Sequence, residues 1–179
     1  MLGFLGKGKV FPLLIILKTK IPMEIIYEQN GLFVRAEEFI TVSQIGSSSF
    51  GINNPQGRIL VGYNKKYLNQ KNAKINLRVE ADQSSYSPMP TVVISRDIDA
   101  NHLHVKGVEL VAHKVKIARC NLSKLVCDNI RQGILVRSEV VCNHVVKGYL
   151  NHQSLLVCDS IDALSNDGTS RCICKKPKR

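Results

Sequence analysis

Six cysteines and five histidines are the side chains of this 179-residue chain best suited to chemistry. Cys127, Cys142 and Cys158 recur 15 and then 16 positions apart, each directly after a pair of aliphatic residues. Zinc needs four ligands that converge in a tetrahedron, whereas equivalent positions of a repeat lie along one line. The spacing therefore favours a ladder of small buried thiols over a metal site, and disulfides between rungs are not expected in a reducing cytoplasm.

The other three cysteines do not share this spacing. Cys120 stands alone, while Cys172 and Cys174 flank one isoleucine in a basic C-terminal stretch. Neighbouring cations lower the pKa of a thiol, so this pair is a candidate for a redox-sensitive or dimer-linking tail. Two cysteines with one intervening residue supply at most half of a zinc site. We therefore predict no metal site in the chain.

The histidines raise the alternative of a catalytic β-helix. They are His102, His104, His113, His144 and His152. Acyltransferases of the left-handed β-helix type use a histidine base and show an apolar residue at every sixth position, a pattern that this chain lacks. Neither a glycine-rich phosphate loop nor a Gly-x-Ser-x-Gly motif is present. We predict a non-enzymatic protein with no catalytic residues and no cofactor, although a substrate-sized pocket near His113 or His144 would favour the catalytic alternative.

A repeat in the second half of the chain predicts the elements that carry these residues. Each copy has two or three β-branched or leucine residues, a small residue, a polar pair and a further β-branched residue, and this composition favours strands. The five copies, spaced by 15 to 17 positions, are 92–98, 109–115, 124–130, 139–145 and 155–161. A repeat of this length fits one turn of a β-solenoid, whose rungs stack about 4.8 Å apart. The predicted fold class is all-β, a parallel β-helix (β-solenoid) with rungs of about 15–17 residues, preceded by a smaller β-rich region.

Branched aliphatic side chains must build the interior, because the chain has no Trp and no Phe after Phe50. Side chains alternate between the two sides of a strand, so an inward aliphatic residue also places the cysteine two positions later inward. The predicted core ladder consists of Leu125, Val126, Cys127, Val140, Val141, Cys142, Leu156, Val157 and Cys158.

Glycines for the corners between strands are few. Those within the predicted solenoid are Gly107, Gly133 and Gly148. Asparagine tolerates the left-handed conformation that a corner requires. We therefore expect three asparagines to replace some of the missing glycines, namely Asn129, Asn143 and Asn151.

Composition divides the chain into four parts. Residues 1–22 are basic and apolar, residues 23–90 form a β-rich region, residues 91–165 form the solenoid, and residues 166–179 form a basic tail with two cysteines. The stretch 82–90 contains three serines and two prolines, which predicts a linker or a long loop, and we place the start of the solenoid there.

Weaker signals lie within residues 23–90. Val61 and Leu77 continue the spacing of the repeat, 16 positions apart, with Ile94 a further 17 positions on. Asn30-Gly31 between two partly alternating segments indicates a hairpin.

The positive charge is concentrated at the two ends of the chain. The formal net charge is +11, of which the first twenty residues contribute +4 and the last nine contribute +5, leaving only +2 between them. The eight-residue apolar run 10–17 is too short to span a bilayer. Apolar insertion by Leu2 and Phe4 and lysine contacts from Lys7 and Lys9, at about 1 kcal/mol each, suit an anionic membrane surface. The alternatives for this segment are a buried strand or translation that starts at Met23.

The repeat resembles the bactofilins, bacterial cytoskeletal proteins that polymerise without nucleotide. The similarity lies in 140–150, in 125–127 followed by Gly133, and in the entry to the domain at 91–107. The apolar N-terminus around Phe4 is similar to the membrane-targeting peptides of that family. The resemblance covers under half of the chain, and the family's terminal-rung phenylalanine is missing here.

The resemblance implies a non-enzymatic scaffold that assembles end to end into filaments at the cytoplasmic face of the membrane. Its implied partners are further copies of itself, an anionic membrane surface and an acidic protein or cell-wall enzyme. A different class, a small basic nucleic-acid-binding protein that uses its charged tails, is the alternative. Bases concentrated in tails rather than spread over a folded face make nucleic acid the less favoured partner.

Overall fold

The computed structural model describes residues 22–38, 40–67, 72–82 and 88–177. Within these ranges the chain forms strands and one 3₁₀ turn at Lys65–Tyr67, with no α-helix. The strands are β1 Glu24–Gln29, β2 Leu32–Ala36, β3 Thr41–Gly46, β4 Ser49–Asn53, β5 Arg58–Tyr63, β6 Ala73–Glu80, β7 Thr91–Ile94, β8 Ile98–Lys106, β9 Glu109–Val111, β10 Lys114–Asn121, β11 Lys124–Val136, β12 Glu139–Asn151, β13 Leu155–Asn166 and β14 Arg171–Pro177.

Parallel stacking of these strands forms a β-solenoid, which confirms the predicted fold class. Lys124 pairs with Glu139, and Glu139 pairs with Leu155, so equivalent residues of successive rungs are 15 and then 16 positions apart. One rung is formed by β5 with β6, the next by β7 with β8, and the next by β9 with β10. Then β11, β12 and β13 each form a rung as one bent strand, and β14 begins the following rung.

Each rung bends twice, and the bends divide it into three faces. The buried residues of β11 are Leu125, Cys127, Ile130, Gly133 and Leu135. The two-residue alternation of a strand is therefore broken after Cys127 and again after Ile130, where two consecutive residues point outward. We define face A as 124–127 and its equivalents in other rungs, face B as 129–131 and face C as 132–136.

Columns of equivalent inward residues form the core. The column on face A consists of Ile59, Val92, Leu110, Leu125, Val140, Leu156 and Cys172. A column on face C consists of Leu77, Leu103, Ala118, Gly133, Gly148 and Leu164. A Cβ at Gly148 would lie 3.2 Å from Ile161 Cδ1, so close packing rather than backbone conformation favours a small residue there. Narrow aliphatic columns explain how the chain forms a core without tryptophan.

Left-handed residues form the corner between face C and the next rung. Positive φ occurs at Gly107, Leu122, Arg137, His152 and Gln153, with φ between 47° and 70°. The asparagines predicted for this role do not adopt it, so that prediction for Asn129, Asn143 and Asn151 is wrong. Each of them lies within a strand, where the ladder fixes extended geometry.

A buried serine follows each of the last four corners. Its hydroxyl forms hydrogen bonds with the backbone at these corners, which contain few glycines. These serines are Ser123, Ser138, Ser154 and Ser170. Ser138 Oγ accepts the backbone N–H of Ser123 at 3.2 Å and donates to the carbonyl of Val136 at 2.8 Å. A buried N–H without a partner costs about 1–3 kcal/mol, so the serine ladder stabilises the rung connections.

Two hairpins form the N-terminal end of the stack. β1 pairs antiparallel with β2 across Asn30-Gly31, whose φ values are 50° and 84°, and the predicted hairpin is therefore confirmed. β2 pairs antiparallel with β5, while β4 pairs antiparallel with β3 and parallel with β6. The rings of Tyr27 on β1 and Phe50 on β4 stack with centroids 6.2 Å apart, so an aromatic contact joins the two hairpins.

The solenoid extends beyond the predicted range 91–165 at both ends. Arg58 of β5 pairs with Thr91 of β7 in the same parallel stack, so the segment between them connects two rungs of one solenoid and does not separate two domains. Val61 pairs with Ile94 on face A whereas Leu77 pairs with Leu103 on face C, so their spacing does not mark successive rungs. The connections after β5 and β6 contain more residues than those of later rungs, which hides the periodicity of this rung.

The stretch predicted as a cysteine-containing tail is also part of the stack. Arg171 pairs with Leu155 and Lys176 with Ser160, which places β14 on β13 in parallel register. The membrane-binding residues predicted near the N-terminus, Leu2, Phe4, Lys7 and Lys9, lie outside the described residues.

Candidate interaction surfaces

The predicted core ladder divides between the inside and the outside of face A. Six of its residues are buried in the interior: Leu125, Cys127, Val140, Cys142, Leu156 and Cys158. The other three, Val126, Val141 and Val157, are partly exposed on the outer side, which corrects the prediction that they are core residues. Strand alternation is the reason, because a residue between two inward neighbours must face outward.

The cysteine column runs to the end of the stack. Cys127, Cys142, Cys158 and Cys174 occupy one register position on face A. A hydrogen bond with Cys142, together with burial, raises the pKa of the Cys127 thiol far above its usual range. Burial raises the pKa of Cys158 in the same direction, with a smaller contribution from Cys174. The Cys127 and Cys158 thiols are therefore protonated packing groups at neutral pH and poor nucleophiles.

Cys120 and Cys172 also lie in surroundings that raise the pKa of the thiol. Burial raises the pKa of Cys120, on β10, to about 12. Cys172 ends the aliphatic column of face A, and burial raises its pKa as well, which argues against activation of this one thiol by nearby cations. In the described ranges, no group of three or more His, Cys, Asp or Glu side chains is arranged to hold a metal ion.

The outer side of face A carries an aliphatic stripe along the axis of the solenoid. Its residues are Leu60, Val93, Val111, Val126, Val141, Val157 and Ile173. All of the stripe except Leu60 contributes to the lining of a groove of about 630 Å³, and His113, Asp128, Asn143 and Asp159 border it.

Charges beside this stripe are balanced. Lys175 Nζ lies 2.7 Å from Asp159 Oδ1, and Lys124 Nζ lies 3.9 Å from Glu109 Oε1. The outer side of face A is therefore apolar along its centre and close to neutral along its borders.

Faces B and C together carry a basic outer surface, which we call the basic face. Its exposed cations are Lys74, Arg78, Lys106, Lys114, Lys116, Arg119, Arg131 and Lys147. The carboxylates on the same faces are Glu80, Asp99 and Asp162. The net charge of residues 21–170 also includes acidic residues outside faces B and C, so the total alone does not reveal the basic face.

His104 lies among the cations of the basic face, and their charge contributes to the lowering of its pKa. The pKa of His104 lies below its ordinary value, first because of burial and then because of the neighbouring Arg78, with Arg119 and Lys106 acting in the same direction. Glu80, whose Oε1 lies 3.5 Å from His104 Nε2, opposes the shift only in part.

Two other histidines border grooves. His113 Nδ1 contacts Asp128 Oδ2 at the edge of the face A groove. His144 lies in a groove of about 430 Å³ on face B, where its Nδ1 is 2.7 Å from Ser160 Oγ and its Nε2 is 3.7 Å from Asp162 Oδ2. These are the positions that the catalytic alternative singled out.

Within the described residues, the strands at the C-terminal end of the stack have edges without a pairing partner. Among the described residues, β14 pairs with β13 alone, and their pairing ends at Ile161 and Pro177. The inward position Leu164 is 43% exposed, and Ile173 on β14 is 59% exposed. Unpaired N–H and C=O groups on such edges are templates for a further strand.

The comparisons with known proteins leave the geometry as the basis for function. No protein-family model, curated protein or solved structure matches this chain. The described part of the chain contains no helix with the length and apolarity needed to cross a bilayer.

Proposed function

We propose that this protein is a non-enzymatic, bactofilin-like scaffold that assembles end to end into filaments on the cytoplasmic face of a membrane. The observation that carries the proposal is that the outermost described strands, at both ends of the stack, pair on one side only. Solenoids that remain monomeric are closed at both ends by caps with polar outer faces. Within the described residues, neither end of this stack is closed by such a cap: β1, β3 and β14 each pair on one side only, and Ile25, Ile45 and Leu164 are exposed.

The chemistry of the terminal rung suits addition of another rung. Leu164 occupies the inward column that contains Gly148 one rung earlier, so a further rung would cover its exposed side chain. Backbone pairing along β14 would then satisfy the edge hydrogen bonds. Removal of this apolar surface from water and satisfaction of the edge drive assembly without nucleotide.

Membrane attachment is assigned to residues 1–22. Leu2 and Phe4 supply apolar groups, and Lys7 and Lys9 supply charge for anionic lipid headgroups. Replacement of Leu2 and Phe4 by Asp should reduce binding to anionic vesicles while leaving filament formation in solution unchanged.

Filament formation is tested at Leu164. Leu164→Asp places a charge in the column that the next rung must cover, so we expect loss of sedimentable polymer and of filaments in negative-stain microscopy. A rise in critical concentration of at least about tenfold corresponds to a contact weakened by about 1.4 kcal/mol.

Met89→Asp is the matched control. Met89 is 42% exposed, like Leu164, but lies in the loop before β7, away from the terminal rung. We expect normal filaments from this variant. A wild-type protein that stays monomeric at high concentration, or equal loss in both variants, would contradict the proposal.

A hydrolytic enzyme is the second candidate, favoured by the contact of His144 with Ser160 beside a groove. The 3.7 Å separation of His144 Nε2 and Asp162 Oδ2 exceeds hydrogen-bond length, so the histidine lacks a tightly held orienting carboxylate. Hydrolysis of an activated ester that Ser160→Ala abolishes would support this candidate. Equal background rates for both proteins would eliminate it.

A further inference from the structure

The basic face is the largest charge asymmetry of the folded solenoid. It contains eight of the sixteen Lys and Arg residues between positions 21 and 170, but only three of the fourteen acidic residues. The net charge of these two faces is therefore +5, whereas the other Lys, Arg, Asp and Glu residues of this range sum to −3.

The acidic residues of this face are already engaged. Glu80 Oε1 lies 2.8 Å from Arg78 Nη2, and Asp99 Oδ1 accepts a hydrogen bond from Asn72 Nδ2 at 2.9 Å. Asp162 faces His144 near the C-terminal border. These acids neutralise a small part of the surface, and the other cations remain available to an anionic partner.

The cations form two adjoining groups on the parallel strands. Arg78, His104 and Arg119 occupy one column on three successive rungs, with Lys106 beside them. A groove of about 430 Å³ on face B is lined by four more cations: Lys74, Lys114, Lys116 and Arg131. The strands from β6 to β12 span about 20 Å along the axis, so the charge covers a flat area instead of one point.

Apolar side chains lie among these cations. Ile117, Ile134 and Val146 are partly exposed on faces B and C. Tyr149 is 39% exposed and follows Lys147 by two residues on the same rung. Lysine and arginine beside tyrosine and aliphatic residues are typical of surfaces that lie at the level of lipid headgroups.

The shape of the basic face disfavours nucleic acid. Reading of duplex DNA uses a helix or a protruding ribbon in the major groove, and the faces that carry these bases are flat sheets. Binding of single strands uses several aromatic platforms, and Tyr149 is the single aromatic residue on the described faces B and C.

We propose that the basic face lies against an anionic membrane surface, so that the solenoid axis runs parallel to the bilayer. The proposal extends the proposed function, because it gives membrane association a second contact that is independent of residues 1–22. Anionic headgroups fill the groove between Lys114 and Arg131, and Tyr149 lies at the interface. Two weak contacts on one molecule bind a membrane more firmly than either contact alone.

The test uses full-length protein and vesicles of phosphatidylcholine with about 30% phosphatidylglycerol, at low salt. The basic-face variant combines Lys116→Gln, Arg119→Gln and Arg131→Gln. Each cation near an anionic surface contributes roughly fivefold to binding, so we expect affinity for these vesicles to fall about 100-fold. Wild-type binding should also weaken as salt screens the charges.

The control variant makes the same change of charge on face A. It combines Lys124→Gln, Arg171→Gln and Lys175→Gln, and we expect its vesicle affinity to stay within about threefold of the wild-type value. Equal losses in both variants would overturn the inference, since net charge rather than one face would then govern binding. Unchanged binding of the basic-face variant would overturn it as well.

Two further measurements distinguish membrane binding by this face from filament assembly and from nucleic-acid binding. Filament formation without vesicles tests the proposed scaffold alone, so failure of assembly leaves a face-specific loss of vesicle binding intact as support for the inference. A DNA duplex of about 20 base pairs is titrated at the same salt concentration. If the basic-face variant loses DNA affinity but keeps vesicle affinity, the surface binds nucleic acid and the membrane inference is wrong.

Discussion

Face A and the basic face belong to the same rungs and share one interior, yet their outer surfaces differ in kind. The outer side of face A is a stripe of valines with paired charges at its borders, including Lys175 with Asp159. The basic face carries cations in the corresponding outward positions, such as Arg119 and Arg131. Because alternate residues of a strand face opposite sides, one repeat can fix the core while each outer face acquires its own chemistry.

The largest expected effect separates the two sides of face A itself. Leu125→Ala removes a fully buried side chain from the aliphatic column and should lower the free energy of unfolding by about 2–5 kcal/mol. Val126→Ala, one position away on the outer stripe, should cost less than about 1 kcal/mol. Urea denaturation of both variants measures the difference.

This pair also defines what the comparison means. If Val126→Ala were as destabilising as Leu125→Ala, the stripe would belong to the core, as the sequence alone predicts. The outer side of face A would then not be a surface comparable with the basic face.

Sequence reasoning was strongest where the repeat is regular. The period of 15 to 17 positions identified the solenoid and placed Cys127, Cys142 and Cys158 on one column, because in-register parallel stacking repeats the spacing of the sequence. The spacing did not predict that Arg58 pairs with Thr91, because the chain between these two residues is longer than one repeat. The repeat spacing counts residues along the chain, so it identifies stacked strands only where the connection between them has the length of one repeat.

The surfaces were harder to predict because they depend on the direction of each side chain. The pattern of aliphatic pairs does not show which member faces inward until the two bends of the rung are known. The basic face was hidden for the same reason, since Lys116 and Arg131 are fifteen positions apart in sequence but lie at the equivalent bend of neighbouring rungs. Assigning outward positions from the repeat before counting charges would have revealed it.

The apolar stripe gives the second prediction. A neutral apolar dye such as Nile red should bind along face A, because Val141 and its neighbours line a groove of about 630 Å³. Val126→Asn combined with Val141→Asn should reduce the bound-dye fluorescence by about half or more.

The matched control lies on the basic face. Ile117→Asn combined with Ile134→Asn also removes two outward aliphatic groups from neighbouring rungs, but their surroundings are cationic. We expect dye fluorescence close to the wild-type level. Equal reductions in both double variants would show that face A is no more apolar than the basic face.

The smallest expected effect comes from His104 on the basic face. Its pKa is lowered in the folded state by burial and by Arg78, so between that pKa and about 6.5 the unfolded chain binds more protons than the folded one. Stability should therefore rise with pH across this window and fall as the pH drops through the folded-state pKa. His104→Gln removes this contribution, so its Tm should decrease less than the wild-type Tm between pH 7 and pH 5, by about 1–2 °C.

His152→Gln is the control for this pH effect, because His152 is exposed at a corner away from the cations that surround His104. Its Tm should follow the wild-type pH profile. An identical profile for His104→Gln and the wild type would mean that neither burial nor the cations Arg78 and Arg119 lower the pKa of His104 in solution. The basic face would then be screened as fully as isolated surface charges, and its contrast with face A would rest on the apolar stripe alone.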